Sequence, residues 1–232
     1  PQEAMIKYNN SGVDNPAYLV VKKSKWFYFG VRRPLLYELV RTKSDFCAYE
    51  LINPKQSICC YFDFDGIGEE NFKKVLLIIK NTIQGAKYAI TSCVDKKNPN
   101  LLSRHLVLNR YFRNLEHLKS SGFLGFINYL KNQFNTTKDE KGSIIKRVDG
   151  GVYTPHRQMR MPYQRKTWKD KSNRILMPIN YKKNNELKYH IIQNIDDCEE
   201  IKDECFDEYK DIQDKTLMPK TIKKQKKNQA DI

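Results

Sequence analysis

Hydrophobic and aromatic residues dominate two short runs near the start of the chain, Ala17-Tyr18-Leu19-Val20-Val21 and Trp26-Phe27-Tyr28-Phe29-Gly30-Val31, with a polar turn between them. Residues 17–31 therefore read as a hairpin. The period then changes. Leu35, Leu36, Leu39 and Val40 recur at helical spacing behind Pro34, which suits a first helical turn, so a helix is expected over 34–46. A β-rich run over 57–64 ends at Asp65-Gly66, and the helix expected over 70–84 gathers Phe72, Val75, Leu76 and Ile79 on one side. Residues 88–94 and 101–109 read as paired strands joined by the polar loop 95–100. An amphipathic helix over 115–134 carries Leu118, Phe126, Tyr129 and Leu130. Beyond it, 143–148 and 152–153 suggest strands around Gly150-Gly151, with another short one at 159–161. The acidic stretch 196–214 is expected to form a last helix, and the Lys-rich stretch 220–228 a solvated tail.

This order of strands, hairpins and helices predicts an α+β (α/β) fold with a largely antiparallel sheet rather than a doubly wound parallel one. A chain of 232 residues with 40% hydrophobic content can bury a core of its own. No apolar run reaches membrane-spanning length, so the expectation is a soluble, intracellular protein without a membrane partner. The first methionine is Met5, which suggests a fragment whose flanking domains lie elsewhere. The six cysteines show no C-x-x-C spacing, so reduced thiols and no zinc site are expected. Charge sharpens the picture. Residues 1–195 hold 34 basic and 16 acidic side chains, a net +18 against +15 for the whole chain. A polyanion is the partner such an excess favours, because neutralised phosphates release their counterions.

Asp63 and Asp65 stand two apart in an expected strand, so both carboxylates project from one face while Phe62 and Phe64 anchor the other. Carboxylates held this way suit a pair of divalent ions of the kind used in phosphoryl and nucleotidyl transfer. Taken alone, the pair also reads as a capped turn leading into the helix at Glu69-Glu70. Asp149, at the end of Ile144-Ile145-Lys146-Arg147-Val148 and before two glycines, is the natural third acid, with Asp95 a weaker candidate. Ser103 and His105 likewise share one strand face, with Arg104 on the other. Arg157, Arg160, Arg165 and Lys166 follow Asp149, and guanidinium groups match phosphate geometry. The plainer alternatives for these features are a core histidine and a solvated basic loop.

These stretches, in this order, resemble the archaeo-eukaryotic primase superfamily, in particular its primase-polymerase branch. The likeness rests on Cys47-Ala48-Tyr49-Glu50-Leu51, Tyr61-Phe62-Asp63-Phe64-Asp65, Ser103-Arg104-His105 and Val148-Asp149-Gly150-Gly151-Val152-Tyr153-Thr154, followed by Arg157, Arg160 and Lys166. The resemblance implies a small N-terminal α/β module over 1–47, an RRM-like catalytic module of mostly antiparallel sheet with flanking helices over 48–195, and an acidic helix with a tail over 196–232. It implies a DNA primase or primase-polymerase that makes or extends primers from nucleoside triphosphates on a single-stranded DNA template. Asp63, Asp65 and Asp149 would then hold two Mg or Mn ions, and Ser103, His105, Arg160 and Lys166 the triphosphate. Arg157 matches a motif arginine, and Tyr49 matches a tyrosine near the sugar. Leu101 stands where some relatives carry a phosphate-contacting lysine, which would pass that charge to Arg104 or Lys166. A helicase domain or partner, a site of action at DNA replication and an origin in a large DNA virus complete the expectation. Two alternatives remain open from sequence: a metal-dependent nuclease using the same acids, and a non-catalytic single-stranded nucleic-acid-binding module.

Overall fold

Two sheets organise the computed structural model, which describes residues 17–22, 26–42, 47–94, 102–137, 145–166, 174–179 and 186–216. The chain runs β1 (Ala17–Lys22), β2 (Trp26–Val31), α1 (Arg33–Thr42), β3 (Ala48–Leu51), β4 (Ile58–Ile67), α2 (Glu69–Thr82), β5 (Tyr88–Val94) and β6 (Leu102–Phe112). It continues through α3 (Leu115–Ser120), α4 (Phe123–Phe134), β7 (Gln158–Arg160), β8 (Met177–Pro178) and β9 (Glu199–Glu200). One sheet has the order β2-β1-β3-β7 and the other β4-β6-β5-β8, with β9 added beside β6. All named pairings are antiparallel except that of β9, which runs parallel to Arg110 and Tyr111 beyond the reach of β5. The fold is α+β, as the hydrophobic pattern predicts. Among the described residues no helix is long and apolar enough to cross a membrane.

β4 shows why this sequence folds as it does. Phe62 and Phe64 are fully buried on one face, against Phe72 of α2 and against Phe123 and Phe126 of α4, with ring centroids 5.5 to 6.2 Å apart. Each ring removed from water contributes about 1.5–3 kcal/mol. α2 covers the same sheet with Phe72, Val75 and Ile79, and its first-turn Glu69 and Glu70 suit the positive end of the helix dipole. The second sheet therefore has one face committed to a phenylalanine-rich core. Its other face is free to carry polar side chains.

The first sheet is joined to this body by buried polar contacts. Glu50 on β3 is buried and accepts the backbone amides of Ile192 and Gln193 at 2.8 and 2.7 Å. The amide of Ile52 donates to the carbonyl of Arg157 at 2.9 Å. β3 thus shares a sheet with β1 and β2 on one side and with the much later β7 on the other.

Several expectations are corrected. The helix predicted over 115–134 is two helices, because Gly122 adopts φ +87° and turns the chain between α3 and α4. The glycine is required twice over, since a Cβ there would lie 2.9 Å from the carbonyl oxygen of Phe206. The strand expected at 143–148 reduces, within the described residues, to a single bridge between Val148 and Phe64. Val152 lies in a 3-10 turn, Gly150–Val152, whose capping Asp149 side chain competes with strand geometry. The acidic segment forms β9 and a 3-10 helix, Asp203–Tyr209, rather than an α-helix, because the Ile201 amide is already taken by the carbonyl of Tyr111. The loop 95–100 with Asp95, the start of the 143–148 run and the tail 220–228 lie outside the described residues.

Gly125 supplies a test of this packing. A Cβ on Gly125 would lie 1.9 Å from the carbonyl oxygen of Tyr209, so the 3-10 helix sits directly on α4. Gly125→Ala is expected to destabilise the protein by about 3 kcal/mol despite the better helix propensity of alanine. Urea denaturation of the two proteins checks this.

Candidate active site

The acids lie where three extended segments meet. Asp63 and Asp65 project from β4 away from the phenylalanine core. His105 of β6 stands directly opposite Asp63, and Arg104 opposite Phe64. A short segment, 147–149, runs along the other edge of β4: the amide of Asp65 donates to the carbonyl of Arg147 and that of Asp149 to the carbonyl of Asp63, both at 3.0 Å. Asn135 fixes this segment. Its side chain accepts the amides of Arg147 and Val148 at 2.8 Å and donates to the carbonyl of Val148 at 3.0 Å. Behind the acids, Tyr61 donates to the carbonyl of Val152 and Tyr153 to that of Tyr61, each at 2.7 Å, clamping the turn after Asp149 onto β4.

The electrostatics follow from this crowding. Burial, with the carboxylates of Asp65 and Asp149 beside it, pushes the Asp63 carboxyl up to about 8, although Arg160 and Arg157 pull the other way. Burial, reinforced by Arg160 and His190, pushes His105 down to about 3. The 3.6 Å between His105 Nε2 and Asp63 Oδ1 is therefore no ion pair at neutral pH, and it is too long for a good hydrogen bond. Asp65, exposed, accepts a hydrogen bond from Ser103 Oγ at 2.7 Å. Asp149 accepts the Gly151 amide at 2.8 Å, and Arg157 Nη2 lies 3.6 Å from its other oxygen.

Beside Asp65 opens a cavity of about 110 Å³ lined by Asp65, Cys93, Ser103, Arg160, Lys166 and Arg174. Both sheets build it. Arg160 comes from β7, where it pairs with Tyr49 of β3, and the Tyr49 hydroxyl donates to the carbonyl of Lys166. Arg160 Nη1 donates to the carbonyl of Arg174 at 3.3 Å. Three cationic residues thus face one carboxylate in a small space, an environment suited to a polyanion.

Of the residues singled out in sequence, Asp63, Asp65, Asp149, His105 and Arg157 gather at the acids. Ser103, Arg160 and Lys166 line the cavity, with Tyr49 against Lys166. Arg104 is not brought there. It is buried on the opposite face of β6, its guanidinium 4.1 Å from the centroid of Phe72 and donating to Glu69 at 2.5 Å. A phosphate role for Arg104 is thereby corrected, because β-strand alternation aims it into the core. Arg174 is the residue that sequence reasoning missed. It follows 167–173, outside the described residues, and no motif marks it.

A divalent ion suits the donors in chemistry, since hard carboxylate oxygens are what Mg and Mn prefer. The carboxylates are not closed into a ready ligand set. Among the described residues no three His, Cys, Asp or Glu side chains form a group that could hold a metal ion. No protein-family model matches the chain, and no curated protein matches it.

Asp63 makes the metal-free protein pH-sensitive in a definite direction. With its folded-state value above its unfolded one, the folded protein keeps a proton that the unfolded chain releases. Stability therefore falls as pH rises from about 4 to about 8. His105 contributes in the opposite sense, and only below about 6.5. Between pH 6.5 and 8, then, the wild-type protein in a chelator is expected to lose stability by about 2 kcal/mol. Asp63→Asn is expected to abolish most of that slope, which urea denaturation across the pH range measures.

Proposed function

We propose that this chain is the catalytic domain of a DNA primase or primase-polymerase, transferring nucleotides from triphosphates to a 3′-hydroxyl on a single-stranded DNA template. The observation that carries the reading is the junction of two unlike half-sites. A crowded carboxylate group, Asp63, Asp65 and Asp149, adjoins a cationic cavity with Ser103, Arg160, Lys166 and Arg174. A nuclease needs the first half and has no use for the second. A binding module needs neither the raised Asp63 nor the clamped Asp149. The +18 charge of residues 1–195 supports a nucleic-acid template.

Arg160, Lys166 and Arg174 would hold the triphosphate, the arginines by paired hydrogen bonds and the lysine as a point charge. Ser103, already a donor to Asp65, would exchange that bond for a phosphate oxygen, and neutral His105 would orient the substrate without adding charge beside Asp63. Asp63, Asp65 and Asp149 would hold Mg or Mn. When bound, such ions lower the pKa of the attacking hydroxyl and neutralise charge on the α-phosphate as pyrophosphate leaves. Arg157, beside Asp149, limits repulsion among the acids. Tyr49, paired with Arg160 and bonded to the Lys166 backbone, stands at the cavity margin where the sugar of the same nucleotide would lie. A helicase domain or partner, and action where DNA is replicated, complete the proposal.

Primer extension on single-stranded DNA with Mg or Mn tests it. Asp63→Ala and Asp149→Ala proteins that remain folded are expected to lose about 100-fold or more of the rate. Arg174→Ala is expected to raise the KM for nucleotide about tenfold, with a smaller effect on kcat. Full activity in both aspartate variants, or DNA cleavage that ignores added triphosphates, would sink the reading.

A further inference from the structure

We propose that Cys59 and Cys198 are a redox-responsive thiol pair, closed to a disulfide by peroxide or by a disulfide oxidant, which fastens the Cys198 segment to the strand that carries Asp63 and Asp65. Their sulfurs lie 3.8 Å apart although 139 positions separate them in sequence. Cys59 is buried in β4, and its thiol also donates to the carbonyl of Asn194 at 3.1 Å. Cys198 is only half-buried. Both line a cavity of about 360 Å³ with Tyr88, Val107, Tyr189 and Asp197, which gives a small oxidant a way to the sulfurs. Of the other four thiols, Cys47, Cys60 and Cys93 are buried like Cys59, and half-buried Cys205 lies within electrostatic reach of Cys60.

The division of labour is already set. Either sulfur can donate across this contact, which pulls the Cys198 thiol down and, together with burial, pushes Cys59 up. Cys198, half-buried beside an exposed turn, is the thiol that an oxidant from solution reaches first, and its thiolate is the attacking nucleophile. With hydrogen peroxide, Cys198 attacks one oxygen, the O–O bond breaks, and the departing hydroxide takes the Cys59 proton as water. Cys59 then attacks the Cys198 sulfenic acid, the S–S bond forms, and the second hydroxide leaves to be protonated by solvent. Two thiols are oxidised and one peroxide is reduced to two waters; an external dithiol reverses the bond.

The sulfurs must close to about 2.05 Å. That movement falls on the Cys198 side, which lies in an exposed turn at Asp196-Asp197, whereas Cys59 is held in β4. The closed bond would tie down the segment that supplies the Ile192 and Gln193 amides to Glu50. It would also close a very long loop in the unfolded chain, which favours the folded state.

The test uses the full chain, without metal or nucleotide, so that it stands or falls separately from the polymerase reading. Protein treated with hydrogen peroxide, or in parallel with oxidised glutathione, is denatured, alkylated and mapped by non-reducing peptide mass spectrometry. A Cys59–Cys198 crosslink is expected, with two of the six thiols protected, a raised melting temperature, and full reversal by dithiothreitol. Cys198→Ser, a substitution at a half-exposed site, should leave Cys59 free to alkylate and remove the shift in melting temperature. Six alkylatable thiols after both oxidants, or a bond mapped to Cys60 and Cys205 instead, would overturn the proposal.

Discussion

Strand β4 can be placed in only one register, and the rest of the site depends on that. Phe62 and Phe64 belong to the same cluster as Phe72, Phe123 and Phe126, so a slip of one residue would turn two phenylalanines out of that cluster and aim two carboxylates into it. Neither loss is small beside a total stability of about 5–15 kcal/mol. The core therefore holds Asp63 and Asp65 side by side even though ionising both would set like charges together. β6 obeys the same rule, with Leu106 inward and Ser103 and His105 towards the acids. Arg104 shows how strictly. It accepts burial against Phe72 and Glu69 rather than joining the other cations.

The cavity draws on both sheets, Asp65 and Ser103 from one and Arg160 from the other, and this arrangement has an electrostatic logic. Carboxylates on one rigid sheet cannot separate to relieve their repulsion, so relief must come from elsewhere. Arg157 and Arg160 supply part of it, from β7 and the residue before it, which lie along β3. The buried contacts of Glu50 and Asn135 fix the distance between the two halves, one by holding the 192–193 backbone against β3 and the other by holding 147–148 against β4. Unlike charges are thus matched across a junction.

What could be read from sequence was whatever depends on near neighbours. Alternation over 61–65 and 103–105 placed the two acids, the serine and the histidine on a shared face, and helical spacing located α1 and α2 to within a few residues. The same alternation set Arg104 on the opposite face, and only the missing lysine at Leu101 drew it into the phosphate group. What could not be read depends on distant partners. β3 gains its identity as a strand from β1 and from β7, more than 100 positions later. Residues 147–148 look like a strand of their own, yet their hydrogen bonds are taken by Asn135, 12 to 13 positions earlier, and by β4, far earlier in the chain. Arg174 enters the cavity through the carbonyl it offers to Arg160, an interaction with no trace in local composition. The break at Gly122 was the exception, since Ser120-Ser121-Gly122 is a helix stop that the strong hydrophobic pattern on either side obscured.

Asp65 is engaged by Ser103, Asp149 by Gly151 and Arg157, and Asp63 by its own retained proton. Each is a weak or replaceable partner, a hydroxyl, an amide, a loose cation and a proton, and none neutralises the group as a whole. A site meant only to be stable would replace such carboxylates with neutral residues, because burying a carboxyl that must remain protonated costs stability at every pH above its ordinary value. Here the core, the Tyr61–Tyr153 clamp and the Asn135 bonds all hold the acids where that cost is greatest. Those independent contacts, and not any mutual attraction, are what keep Asp63, Asp65 and Asp149 together.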